Sequence, residues 1–313
     1  MKRRLPTWVG APRLDPVLLV LLLLIIACGL AILYSASDQD MGMMKRQVIR
    51  LGIGFVVMLI ISQVPPRVLR SWTPWLYFLG ISMLLATWWL GVGRGTQRWL
   101  DLGLFRFQPS ELMKLAVPMM LAWYLHPKVL PPVWKVVGIS LGILMIPTLL
   151  IARQPDLGTA LLVAASGIFT LYLAGLRWRV LFGLAGLVAA AAPVLWLVMK
   201  EYQRDRVRTF LNPEADPLGH GWNIIPSKIA VGSGGLTGKG WLNGTQSHLE
   251  FIPERHTDFI MAVLSEEFGL IGVTLLLLLY VMLIARGLHI ASNARDTGSR
   301  LLAGSLSLTL FVY

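Results

Sequence analysis

Long apolar runs alternate with short polar connections along most of this chain. The runs recur at about twenty residues, the length a helix needs to cross a hydrocarbon core of about 30 Å. They predict membrane-spanning helices at about 17–34, 47–64, 72–91, 112–126, 133–152, 157–176, 178–199, 259–285 and 301–313. The first run, Val17 to Leu33, follows Lys2, Arg3 and Arg4 but is longer than a signal-peptide core, so it reads as a retained helix. The last run stops at Tyr313, too short to cross, which predicts a natural chain that continues further. The pattern as a whole is all-α: a polytopic transmembrane helical bundle, read as one integral membrane domain over 1–313.

Three polar stretches fall on the same side of that bundle. They are 91–114, the short turn 153–156, and a loop of 59 residues from Lys200 to Asp258, between the seventh and eighth spans. A loop that long in a compact protein is usually functional or disordered. Its mixed charges with Trp222, Trp241 and Phe251 speak against wholesale disorder.

Composition agrees with the pattern. The chain is 56% hydrophobic and 14% charged, against about 25% charged for a soluble domain. The net charge of +12 invites a nucleic-acid reading, but its distribution removes it. With the N-terminus in the cytoplasm, the inner segments hold thirteen basic residues and two acids, Asp15 and Asp296. That is the positive-inside bias of a membrane protein. One cysteine, Cys28, leaves no intrachain disulfide and no thiol-ligated metal site.

The stretch 232–269 carries the most chemistry. Ser233 to Gly240, SGGLTGKG, resembles a phosphate-binding loop but lacks its first glycine, and Gly240 follows Lys239. It reads either as a flexible loop with one lysine or as backbone N–H groups and Lys239 meeting a diphosphate. Asp258 is the last charged residue before the eighth span. It suits a helix N-cap. It also suits a general base, because a carboxylate at a membrane rim is partly desolvated. Glu111 and Lys114, three apart, share a helix face and predict an ion pair. Asp156 reads as a helix cap, and Arg98 with Trp99 as a phosphate and sugar contact or an interfacial anchor. Of Glu266 and Glu267, at least one must face the interior or find a partner. There is no S-x-x-K with K-T-G, hence no penicillin-binding acyl-enzyme site, and no H-E-x-x-H metal helix.

The run from Gly232 to Gly272 closely resembles the shape, elongation, division and sporulation (SEDS) family, and within it the elongation branch rather than the division branch. Gln97-Arg98-Trp99, Gln108-Pro109-Ser110-Glu111 with Lys114, and Gln154-Pro155-Asp156-Leu157-Gly158 extend the resemblance over nearly the whole chain. It implies a ten-span inner-membrane peptidoglycan glycosyltransferase, of which this sequence ends inside the ninth span. Such proteins polymerise lipid II on the outer face of the membrane. They work with a class B penicillin-binding protein, the transpeptidase, and with other elongation proteins. The family's essential aspartate falls on Asp258, and its acid and lysine of the fourth span fall on Glu111 and Lys114. The expected roles are then Asp258 as base, Arg98, Trp99, Asp156, Lys239 and Arg255 toward substrate, and Glu111 with Lys114 in support. No metal ligand set is visible, although a divalent cation is compatible with the reaction, and no other cofactor is expected. The rival readings are a lipid II flippase, which needs a polar path at the midplane, and a non-catalytic scaffold.

Overall fold

The computed structural model describes residues 14–92, 98–101, 103, 106–154, 156–199, 201–212, 214, 222, 224–248 and 254–312. Lys2, Arg3, Arg4, Gln97, Pro155, Lys200, Phe251 and Tyr313, named above, lie outside them.

Among the described residues, nine long helices fall on the nine expected spans: α1 (Pro16–Ala36), α2 (Met41–Gln63), α3 (Pro66–Leu90), α4 (Pro109–Leu125), α5 (Trp134–Arg153), α6 (Leu157–Leu173), α7 (Trp178–Val198), α11 (Ile260–Ser292) and α12 (Thr297–Val312). By length and composition alone, α1, α3, α5 and α11 are apolar enough to cross a membrane. The chain is a polytopic helical membrane protein. The long loop is ordered in part by α8 (Glu201–Leu211), α9 (Ile224–Ser233) and α10 (Thr245–His248). One feature departs from an all-helical pattern. The stretch after α3 folds as a small antiparallel sheet, β1 (Gly91–Val92), β2 (Trp99–Asp101) and β3 (Arg106–Phe107), in which Val92 pairs with Trp99 and Leu100 with Phe107.

The chain divides into two compact units, one of residues 1–63 and 192–283, the other of 64–191 and 284–313. In the second, α3, α4, α5 and α6 share a core of Leu84, Met113, Val117, Leu121, Leu144, Ile151 and Val163. Glycines set the close approaches: a Cβ on Gly80 would stand 2.3 Å from Met113 Sδ, and one on Gly167 2.4 Å from Leu144 Cδ1. Small residues at helix contacts are how membrane helices pack without a hydrophobic drive between them. Pro147 cannot donate to the carbonyl of Ile143 one turn back. The Tyr77 hydroxyl donates to that carbonyl at 2.7 Å, so the bundle absorbs the break. In the first unit, α2 has no buried residue, and Ile49, Ile53, Val56 and Ile60 are exposed along it. That surface fits lipid rather than water.

Candidate active site

The glycine-rich loop closes a broken helix. α11 is interrupted at Gly269, where φ is +61° and ψ −161°, a region open only to glycine. A break leaves carbonyls before it and N–H groups after it without helical partners. The loop supplies them. Lys239 N and Gly240 N donate to the carbonyls of Glu266 and Glu267, both at 2.9 Å. Leu270 N and Ile271 N donate to the carbonyls of Gly235 and Leu236, at 3.0 and 3.1 Å. The two backbones approach so closely that a Cβ on Gly238 would lie 2.1 Å from Glu267 O, and one on Gly234 1.9 Å from Ser265 O. Glycine is required here for contact with protein backbone.

Side chains lock the same junction. Glu266 is fully buried. Its Oε1 accepts from Lys239 Nζ at 2.6 Å, Thr245 Oγ1 at 3.0 Å and Gln246 N at 2.9 Å. Its Oε2 is buried without a hydrogen-bond partner among the described residues. Glu267, also buried, accepts from Ser35 Oγ of α1. Both acids therefore turn inward and find partners, as the cost of a charge at membrane depth demands. The end of α1 meets the loop twice more. Trp241 Nε1 donates to Ala31 O at 3.2 Å, and the Arg255 guanidinium pairs with Asp38.

Asp258 stands apart from this locked set. It lies in the turn before Ile260, is exposed, and makes no hydrogen bond or ion pair among the described residues. The helix-cap role is thereby unfilled. Asp258 borders a cavity of about 360 Å³ lined by Ile224, Ser227, Lys228, Val231 and Phe259. Lys228, on α9, is exposed and pairs with no carboxylate among the described residues. Sequence reasoning passed over Lys228. Its only signal was a lysine inside the otherwise apolar stretch Ile224–Val231.

The remaining candidates belong to the second unit. Asp156 caps α6 through Thr159 N at 3.3 Å and accepts from Gln108 Nε2 at 3.0 Å. Arg98 donates from Nε to Gln154 O at 3.1 Å and holds Nη1 3.7 Å from Asp156. Gln154 is buried and bonds back to Leu84 O and Thr87. Arg98 and Asp156 thus tie the polar segment before α4 to the head of α6, while Trp99 is 41% exposed on β2. Glu111 and Lys114 form the expected pair at 2.8 Å, with the lysine side chain 10% and the glutamate 52% exposed. Among the described residues, no three side chains of His, Cys, Asp or Glu converge as a metal site.

Known proteins extend these observations. A family model for the FtsW, RodA and SpoVE group, described as cell cycle protein, matches residues 15–313. The chain is 54% identical over 302 residues to the peptidoglycan glycosyltransferase MrdB of Escherichia coli K12, covering 96% of this chain and 82% of that one. It is 38% identical over 310 residues to stage V sporulation protein E of Bacillus subtilis, with 94% and 84% covered. Among solved structures, one described as a peptidoglycan synthase complex coordinating polymerization and crosslinking aligns with a TM-score of 0.80 at 30% identity, covering 95% and 84%. The rod shape determining protein RodA of Thermus thermophilus aligns at 0.69 and 28% identity, covering 97% and 83%.

Proposed function

We infer the reaction from one premise: the chain belongs to the FtsW, RodA and SpoVE family of cell cycle proteins, the SEDS family, and is a peptidoglycan glycosyltransferase. Its substrate is lipid II, and Asp258 is the base. The 4-hydroxyl of the incoming GlcNAc attacks C1 of the MurNAc that ends the growing strand. Asp258 takes the hydroxyl proton as the new C1–O bond forms. The bond from C1 to the diphosphate breaks, undecaprenyl diphosphate leaves with the electron pair, and the anomeric centre inverts.

The observation that carries this reading is the contrast in commitment among the charged groups. Lys239, Arg255 and Arg98 each hold a protein carboxylate. Asp258 and Lys228 border one cavity and hold none among the described residues. Lys228 is therefore the stronger candidate to meet the leaving diphosphate. Lys239 and Arg255 then shape the loop that carries Asp258, and Arg98 with Asp156 hold the polar segment that presents Trp99 to a sugar. Glu111 and Lys114 support α4.

The site faces outward, where flipped lipid II presents its sugars. The basic residues of the opposite segments support an N-terminus in the cytoplasm. The fitting partner is a class B penicillin-binding protein that crosslinks the product, within the elongation machinery of the inner membrane. The test is polymerisation of purified lipid II by the full-length protein with its transpeptidase, comparing wild type, Asp258→Asn and Lys228→Met. Asp258→Asn loses polymer while remaining folded and partner-bound. Near wild-type synthesis by purified Asp258→Asn removes the assigned base. Unchanged synthesis by Lys228→Met removes Lys228 alone.

A further inference from the structure

Two adjoining cavities in the second unit lie away from every residue assigned above. The first, of about 270 Å³, sits where the start of α3, the end of α4 and the start of α12 converge. Its walls are apolar: Leu69, Met119, Leu302 and Leu306. The space arises because Ala122, Gly298 and Ala303 present almost no side chain there. The second, of about 420 Å³, is lined by Arg70, Trp123, Tyr124, His126 and Lys128. Arg70 and Trp123 line both. An apolar slot thus adjoins a basic, aromatic rim. Trp123, at the junction, is 38% exposed.

The charges at the rim are arranged and not merely present. Arg70 donates from Nη2 to Asp296 at 2.6 Å, and its Nη1 lies 2.7 Å from His126 Nε2. Guanidinium nitrogens only donate, so His126 Nε2 accepts, and the ring is held in place. The other ring nitrogen lies 3.2 Å from Gly298 N and 3.6 Å from Asp296. Lys128 sits over the Tyr124 ring at 5.4 Å from its centroid. No carboxylate pairs with it among the described residues. A fixed guanidinium, an indole at an interfacial position and an unpaired lysine surround one opening. Basic pockets between membrane helices take acidic lipid headgroups for this reason.

We propose that these adjoining cavities are a binding site for an anionic glycerophospholipid, with an acyl chain between α3, α4 and α12 and its phosphodiester against Lys128, beside the Arg70 that Asp296 already holds. A bilayer lipid fits better than a free anion because the apolar slot and the charged rim adjoin at Arg70 and Trp123. A soluble phosphate would leave that slot empty. Occupancy would wedge the ends of α3, α4 and α12 together at a point where small side chains leave them under-packed.

Native mass spectrometry of full-length protein, released from bilayers of equal phosphatidylglycerol and phosphatidylethanolamine, tests the site. Wild type is expected to retain phosphatidylglycerol over phosphatidylethanolamine by about fivefold or more, the worth of one lysine near an anionic lipid. Lys128→Glu, at an exposed position, is expected to abolish the preference, and Lys128→Arg to keep it. Ala303→Phe, which fills the slot, is expected to lose both lipids. Equal retention of the two lipids by wild type overturns the proposal, as does an unchanged preference in Lys128→Glu. Displacement of the lipid by millimolar glycerol phosphate overturns it in favour of a free phosphate ester. Absence of retained lipid with the slot covered by another segment or another copy overturns it as well. Since Lys128→Glu changes only a solvated side chain, its result decides even where Ala303→Phe fails to fold.

Discussion

Asp258 and Glu266 are acids eight residues apart at the head of α11, and the structure treats them oppositely. Glu266 is fully buried, and its Oε1 accepts three hydrogen bonds. Asp258 is exposed beside a cavity and holds nothing among the described residues. A carboxylate with one oxygen held by three protein donors is committed to structure. One left open can take a proton from a bound hydroxyl. The same helix head thus separates an acid that builds the site from an acid that can act in it.

The largest effects come from exchanging these roles by mutation. Asp258→Asn removes the proposed base while keeping size, so polymerisation is expected to fall by roughly 10²–10⁴-fold, the usual worth of general-base help. Its thermal stability should match wild type. Glu266→Gln should do the reverse, lowering stability and yield first. If Asp258→Asn destabilises as much as Glu266→Gln, the contrast between the two acids collapses.

Next in size is Lys239. Removing one partner of a buried pair leaves the other charge uncompensated, at a typical cost of about 3–5 kcal/mol. Lys239→Met should approach that figure, because Glu266 is wholly buried and Lys239 is only 28% exposed. Chemical denaturation in detergent, with the Glu266→Gln/Lys239→Met double variant closing the cycle, measures the coupling. A coupling near zero would mean that Thr245 and Gln246 alone hold Glu266.

How far the sequence anticipated this depends on whether a feature is local. The nine long helices fall within a few residues of the apolar runs, apart from earlier starts to α2 and α3 and a longer α11, because run length is a local property. Glu111 and Lys114 pair as their spacing implies. The break at Gly269 left no trace, since apolar residues resume at once on its far side. Strands of two or three residues such as β1 and β3 show no periodicity to read. The role of SGGLTGKG was hidden for another reason. Its partners, Glu266 to Ile271, lie about thirty residues on, and only folding shows that its glycines admit backbone. Lys239 to Glu266, Arg98 to Asp156 and Arg255 to Asp38 are likewise distant pairs that no spacing rule announces.

Glu111 and Lys114 give a smaller test, because their burial is inverted. Here the lysine is enclosed and the glutamate half-exposed. Solvent screens the acid, so Glu111→Gln should cost about 1 kcal/mol or less. Lys114→Met deletes the buried member and replaces it with an apolar side chain of similar length. That change should be milder still than the loss of Lys239, because it leaves no buried charge behind. A Glu111→Gln cost equal to that of Lys239→Met would show that burial of the surviving partner is not what sets the scale.

Asp296 offers the smallest effect and the sharpest sign. It is neither locked away like Glu266 nor open like Asp258. Burial alone would raise its pKa. The Ser299 hydroxyl and backbone N–H and the charge of Arg70 outweigh burial, so the carboxyl titrates below its ordinary 3.8. A depressed acid stabilises the fold fully above the unfolded value and loses that contribution as pH falls through the folded value. Both partners of its ion pair are about a third exposed, so the gain is about 1 kcal/mol or less. Asparagine also caps helices well. Asp296→Asn therefore removes the charge and little else at the start of α12. Wild type should melt above Asp296→Asn at pH 7, and the two curves should converge toward pH 3. A gap that is the same at both pH values would assign the difference to capping geometry and not to the carboxylate's charge.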